Sequence, residues 1–195
     1  MRGFAVLAAA ALAACAGNAT PPPVEYDFGP GGATLEAPPR LAKEITVAEA
    51  SAPGWLDSSA LVYRLAYREA AQPRAYVESR WVAPPASLFT LQLRQRLAAT
   101  TRSGVLVPGD GVRTAATLRV ELQEFSQVFD APDRSRAVVR VRAVLVADGR
   151  LLGQTSFAVD RPAPSPDAAG GARALALAAD AAIDRLIGWT ADKLK

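Results

Sequence analysis

Histidine is absent from the 195 residues, and cysteine occurs once, as Cys15. The first absence removes the commonest general base and the commonest metal ligand. The second removes any intrachain disulfide and any site built from several thiolates. No GxSxG elbow, P-loop or GxGxxG fingerprint is present. Gly29-Pro30-Gly31-Gly32 has no helix signal behind it and reads as a loop. Asp57, Glu121 and Glu124 fit solvated or ion-paired roles better than a catalytic dyad. Neither sign of charge dominates, with 22 basic and 19 acidic residues, so composition does not select nucleic acid as a partner. The expectation is a non-enzymatic chain with no cofactor and no metal site.

What is present begins at the N-terminus. Met1-Arg2 is a short positive segment, and Phe4 to Leu12 is an uncharged apolar run of the length secretory signals use, about 7–15 residues. A membrane span takes about 20. Leu12-Ala13-Ala14-Cys15 closes the run and resembles the lipobox of bacterial lipoproteins. An ordinary signal peptide with a core-seeking cysteine is the competing reading. The lipobox resemblance implies that 1–14 is a signal peptide cleaved before Cys15. It also implies that Cys15 carries a diacylglyceryl thioether and an N-acyl chain such as palmitate. One acyl chain binds a membrane marginally and two signals bind it stably; three chains on one residue make release negligible. Ala16 follows, not the aspartate that resembles an inner-membrane retention signal, which points to the periplasmic face of the outer membrane.

Cleavage removes one charge, Arg2, and leaves 21 basic and 19 acidic residues among 181. That length suits one domain with a substantial core, placed at 24–195. Residues 15–23 form the lipidated tether. Its Ala16–Pro23 stretch, with three prolines, reaches about 25 Å when extended in polyproline form. Gly29 to Arg40 is a second Pro/Gly-rich loop.

The domain pattern is strand-heavy with two helices. Val24–Phe28 and Ala42–Ala48 fit strands. Leu61, Tyr63, Leu65 and Tyr67 share one strand face, with Arg64 and Arg68 on the other. Ala75–Val82 follows a turn containing Pro73. Pro84-Pro85 opens a helix to about Thr101, with Phe89, Leu93 and Leu97 as its main stripe. Leu88 and Leu91 lie off that stripe and suggest cover on a second side.

Leu118, Val120 and Leu122 are apolar at even positions, while Phe125 and Phe129 are large at odd ones. Side chains alternate faces along a strand, so one core cannot take both sets without a reset. A bulge near Gln123-Glu124 supplies it; two separate strands meeting there are the alternative. Arg136–Val146 and Leu151–Asp160 flank Asp148-Gly149, a hairpin signal. A three-residue loop, Ala147-Asp148-Gly149, stacks Leu145/Leu151, Val141/Thr155, Val139/Phe157 and Ala137/Val159 inward. It points Arg136, Arg140 and Arg142 outward, with Asp160 opposite Arg136 and Gly149 left-handed in a G1 bulge. Those three arginines fit a solvated strand face better than a phosphate-headgroup site.

Ser165-Pro166-Asp167 marks the second helix start, with a side-chain cap, a first-turn proline and an acid facing the dipole. Leu175, Ala178, Ala179, Ala182, Leu186 and Trp189 form its stripe, with Arg173, Asp180 and Asp184 opposite. The small residues suggest close approach to a sheet. The fold expected is α+β: a single, mostly antiparallel sheet with two helices packed against it.

Tyr26-Asp27-Phe28-Gly29-Pro30, Trp55-Leu56, Tyr63-Arg64 and Arg80-Trp81 before Pro84, with Leu118–Phe129 and the closing helix, resemble the ABC-type transport auxiliary lipoproteins. The order and spacing of several short motifs carry the resemblance over nearly the whole mature chain. It implies a fold similar to the N-terminal domain of the Tol-system propeller protein. It further implies partnership with a mammalian-cell-entry (MCE) domain protein, an ABC ATPase and a permease that move lipids between the two membranes. In that system this chain is the outer-membrane, non-enzymatic component, and family analogy leaves room for a homo-oligomer. The competing class is a structural or assembly lipoprotein that binds cell wall or another envelope protein. Trp55, Tyr63 and Trp81 are large and carry polar atoms, and core positions suit Tyr63 and Trp81. Trp55 follows Pro53-Gly54 in a loop. Exposed aromatics and arginines anchor interfaces, so Trp55, with Arg64 and Arg80 nearby, is the expected docking surface for the MCE partner.

Overall fold

The computed structural model of the chain describes residues 21–30, 41, 43–101, 103–112 and 114–195. Cys15, the signal peptide at 1–14, most of the tether at 15–23, the loop stretch 31–40 and Ala42 lie outside the described residues. In chain order the elements are β1 (Val24–Tyr26), β2 (Ile45–Val47), β3 (Ala60–Leu65), β4 (Glu69–Trp81), α1 (Pro85–Thr100), β5 (Val105–Leu106), β6 (Ala116–Ala131), β7 (Arg134–Ala147), β8 (Arg150–Pro162) and α2 (Ala168–Lys193).

All eight strands join one sheet whose spine is the 16-residue β6. One edge of β6 pairs with β7 along its whole length. The other edge is shared by two short parallel strands, β2 against Ala116–Leu118 and β3 against Gln127–Phe129. β2 and β3 thus act as one interrupted strand, and the 48–59 segment fills the gap between them. The sheet is mixed rather than mostly antiparallel. Of its seven pairings four are parallel (β1·β4, β2·β5, β2·β6, β3·β6), and the antiparallel ones are β3·β4, β6·β7 and β7·β8. Each antiparallel pair joins consecutive strands through a tight turn, which local sequence encodes. The parallel pairs join segments far apart in the chain.

The register reset in β6 is a bulge within one strand. Leu122 pairs with Val141 and Glu124 with Arg140, so Gln123 is the extra residue. Leu118, Leu122 and Phe125 are all fully buried as a result. The β7–β8 hairpin keeps Val139, Val141 and Leu145 on the inner face, but neither the expected loop nor the expected inward Leu151, which pairs with Val146 and is 64% exposed. Ala147 pairs with Arg150 across a two-residue turn in which Asp148 (φ 48°) and Gly149 (φ 72°) are both left-handed, the requirement of a type I′ turn. A register shift beyond Leu145 then pairs Val141 with Phe157 and Val139 with Val159. Asp160 is diagonal to Arg136, which pairs with Pro162 in register, yet its carboxylate accepts from Arg136 Nη1 at 2.6 Å.

The β3–β4 turn is Ala66–Arg68, and Tyr67 sits in it rather than on the Tyr63 face. Pro73 lies inside β4, in the stretch that β1 does not pair and where the β3 register is irregular. An edge position needs no ladder donor, so proline is tolerated. On α1, Phe89, Leu93 and Leu97 are buried as expected, whereas Leu91 is 56% exposed. Thr90 and Arg94 instead clamp the end of β2: Thr90 Oγ1 accepts from Ala50 N–H at 2.8 Å, and Arg94 donates to Val47 O at 2.8 Å.

The cap of α2 is Asp167 itself, which accepts from Gly170 N–H at 2.7 Å and from Ser165 Oγ at 2.8 Å. These hydrogen bonds hold its carboxyl below the usual carboxylate range. Asp180 and Asp184 are not a solvated face, because both engage Arg96 of α1. Burial raises the Asp184 carboxyl against the opposing pull of Arg96. Both helices cover the face on which Leu118, Phe125, Val139, Val141 and Leu145 meet Leu175, Ala178, Ala182 and Leu186.

Candidate functional site

The loop between β2 and β3 is pinned to the β6 spine. Ser51 N–H donates to Val120 O at 3.0 Å, and Leu122 N–H donates to Ser51 O at 2.8 Å. Buried Leu56 anchors the far side, and its N–H closes a turn on Pro53 O at 2.8 Å. Trp55, between these anchors, is 36% exposed.

Arg64 holds that indole in place. Its Cζ lies 4.7 Å from the Trp55 ring centroid, an arrangement worth about 0.5–1 kcal/mol at such a site. Its other contacts are internal: Glu124 at 3.3 and 3.4 Å, and the carbonyls of Ala70 and Ala71 at 3.2 and 3.3 Å. Arg64 is therefore a positioning residue for Trp55 rather than a free cation. Glu124 stands at the β6 bulge, so the gap between β2 and β3, the bulge and the exposed tryptophan form one feature.

Arg80 belongs elsewhere. It pairs in register with Ala60 and Glu25, and its guanidinium meets Glu25 at 2.6 Å with both side chains about half exposed. Four residues of strand, about 13 Å, separate Ala60 from Arg64. The structure thus brings Trp55 and Arg64 together and sets Arg80 in a second, exposed ion pair. Tyr63 is half-buried beside Tyr76 and Phe129, with ring centroids at 4.7 and 6.0 Å. Trp81 is core, packed on Phe28 at 5.4 Å and Phe125 at 5.6 Å. Tyr76 donates its hydroxyl to Gln127 Oε1 at 2.9 Å, and burial, with Tyr63 and Asp167 nearby, pushes its phenol up to about 12.

The outward arginines of β7 are largely self-neutralised. Arg136 meets Asp130 and Asp160, and Arg142 meets Glu121. Glu121 and Glu124, doubted above as a dyad, are both ion-paired. Sequence reasoning missed the Arg64–Glu124 link because nothing local connects residues 60 positions apart. The β6 bulge was the one signal near it. Among the described residues no group of three or more His, Cys, Asp or Glu side chains is placed to hold a metal ion. No described helix is long and apolar enough to cross a membrane.

A family model described as "ABC-type transport auxiliary lipoprotein component" matches residues 26–186. Among solved structures, a Xanthomonas campestris protein of family DUF330 shares the fold at a TM-score of 0.71 and 21% identity, covering 88% of this chain and 94% of its own. A second crystal structure, of an uncharacterized protein, gives a TM-score of 0.67 at 15% identity, with 87% and 99% covered. Neither is described as a Tol-system protein, so the Tol-propeller comparison gains no support from them. No curated protein matches the chain.

Proposed function

We propose, from the premise that this chain belongs to the family of ABC-type transport auxiliary lipoprotein components, that it is the non-enzymatic, lipid-anchored member of an MCE-type lipid transport system. The observation that carries the reading is the extent of the family match. Residues 26–186 take in the sheet from the last residue of β1 onward, α1, and all but the last turns of α2. In this reading Cys15 carries the acyl chains in the outer membrane. The tether at 15–23 links it to the domain at 24–195 on the periplasmic side, and ATP hydrolysis belongs to another subunit.

Trp55 supplies the docking contact for the MCE-domain partner, presented by Arg64. A large aromatic fixed by a partly buried ion pair loses little side-chain freedom on binding, and Trp and Arg are the residue types that anchor interfaces. The test is recovery of the native lipoprotein from envelopes of its own bacterium with mild detergent. An MCE-domain protein among its stable partners supports the reading. Pelleting with peptidoglycan, with no MCE protein recovered, would assign it to the cell-wall class instead.

A further inference from the structure

A groove opens between β1 with its following segment and the first turns of α2. Its volume is about 510 Å³, within the 300–1,000 Å³ typical of small-molecule sites. Tyr26, Phe28, Val82, Ala172, Ala176 and Leu177 give it an almost wholly apolar lining. Val82 is 52% and Leu177 59% exposed, so two large apolar side chains face water at one place. Single exposed apolar residues need no explanation, but an apolar groove with a few polar groups at its edge has the usual form of a small-molecule site.

The rim supplies one charge of each sign. Arg173 makes no ion pair among the described residues, while Glu25 is taken by Arg80. Asp27 is held in position by Gly29 N–H at 2.8 Å, in a turn where Gly29 has φ 73°. The groove also has a fixed address. β1 begins nine residues after Cys15, and a chain of that length spans at most about 30 Å. An anchor at Cys15 keeps this mouth within that distance of the bilayer.

We infer that the groove takes one acyl chain of a zwitterionic phospholipid, with Arg173 facing the phosphate and Asp27 the ammonium. The inference rests on the lipid-anchored transport reading above, and it adds a lipid site on this chain distinct from the Trp55 surface. A net-neutral rim beside an apolar slot matches phosphatidylethanolamine better than an anionic lipid.

The test reconstitutes the native lipoprotein into phosphatidylethanolamine vesicles doped with the same lipid carrying a diazirine in one acyl chain. After illumination the label is mapped by mass spectrometry. The expected result is label on the peptides holding Tyr26–Gly29 and Ala172–Leu177, at least tenfold above that on the exposed Leu151-Leu152 pair at the β7–β8 tip. Ala176→Trp fills the slot and should cut groove labelling about tenfold. Leu177→Gln, at an exposed position that cannot unfold the core, should cut it severalfold and serves if the tryptophan variant is unstable. Arg173→Glu should lower labelling by this lipid severalfold. Equal labelling at groove and tip, or labelling indifferent to both Ala176→Trp and Leu177→Gln, overturns the inference. An unlabelled groove in protein that still recovers an MCE partner removes this site and leaves the transport reading standing; a labelled groove without that partner does the reverse.

Discussion

Gly171 of α2 faces the side-chain amide of Gln127 in β6 with no room for a methyl group between them. Gln127 is fully buried, accepts the Tyr76 hydroxyl and donates to Ser135 Oγ at 2.8 Å. Its amide is therefore not free to step aside. The helix approaches the sheet this closely because Gly171 presents no side chain there; Gly170 lies instead against Ser165, ahead of the helix.

Gly171→Ala should destabilise the domain by about 1–3 kcal/mol through overpacking, although alanine is the better helix former. Gly188→Ala meets nothing within 4 Å and should gain about 0.5–1 kcal/mol from propensity alone. Thermal melts of the two variants should move in opposite directions. Movement in the same direction would contradict the packing described for Gly171.

Gly149 has open space around it, so the cost of replacing it lies in the backbone. Gly149→Val forces a β-branched residue to φ 72°, which should lower stability by about 1–2 kcal/mol. An unchanged melting temperature would contradict the left-handed turn.

Asp148-Gly149 also shows what sequence can and cannot say. The dipeptide announces a hairpin and puts a left-handed residue in it. The choice between a two- and a three-residue loop depends on an irregularity further along, at Leu152, which no local rule marks. The β6 bulge was legible because the apolar parity itself changes between Leu122 and Phe125. The parallel pairings of β2 and β3 with β6 were not, because residues 45–65 and 116–129 meet only in the folded sheet. The same distance hides Arg64 from Glu124 and Arg96 from Asp180. The exposed Trp55 was legible from Pro53-Gly54; its stacking on Arg64, and the separation of Arg80 from both, were not.

Tyr76 gives the fold an alkaline limit. Its phenol titrates near 12 when folded and near 10.0 when unfolded, so the folded state binds the proton more tightly. The stability this contributes is complete below pH 10 and is lost as pH rises from about 10 to 12. Tyr76→Phe should flatten that part of the stability curve, followed by denaturant melts at stepped pH. An equal alkaline slope in both proteins would assign it to another group.

Cys15→Ser offers no thiol for a thioether. It should leave an unprocessed precursor held by its signal sequence. Metabolic labelling with an acyl-chain analogue should mark the native protein and not the variant; label on both would remove the lipid anchor from the account.

The most direct test of the account measures capture of the MCE-domain partner by native protein and by Trp55→Ala. Trp55 lies on the surface and the core does not depend on it, so circular dichroism and melting temperature should stay near the native values. Capture should fall about tenfold or more, the loss of roughly 1.4 kcal/mol or more of binding free energy. A stable Trp55→Ala protein that captures the partner as well as the native one would contradict the account.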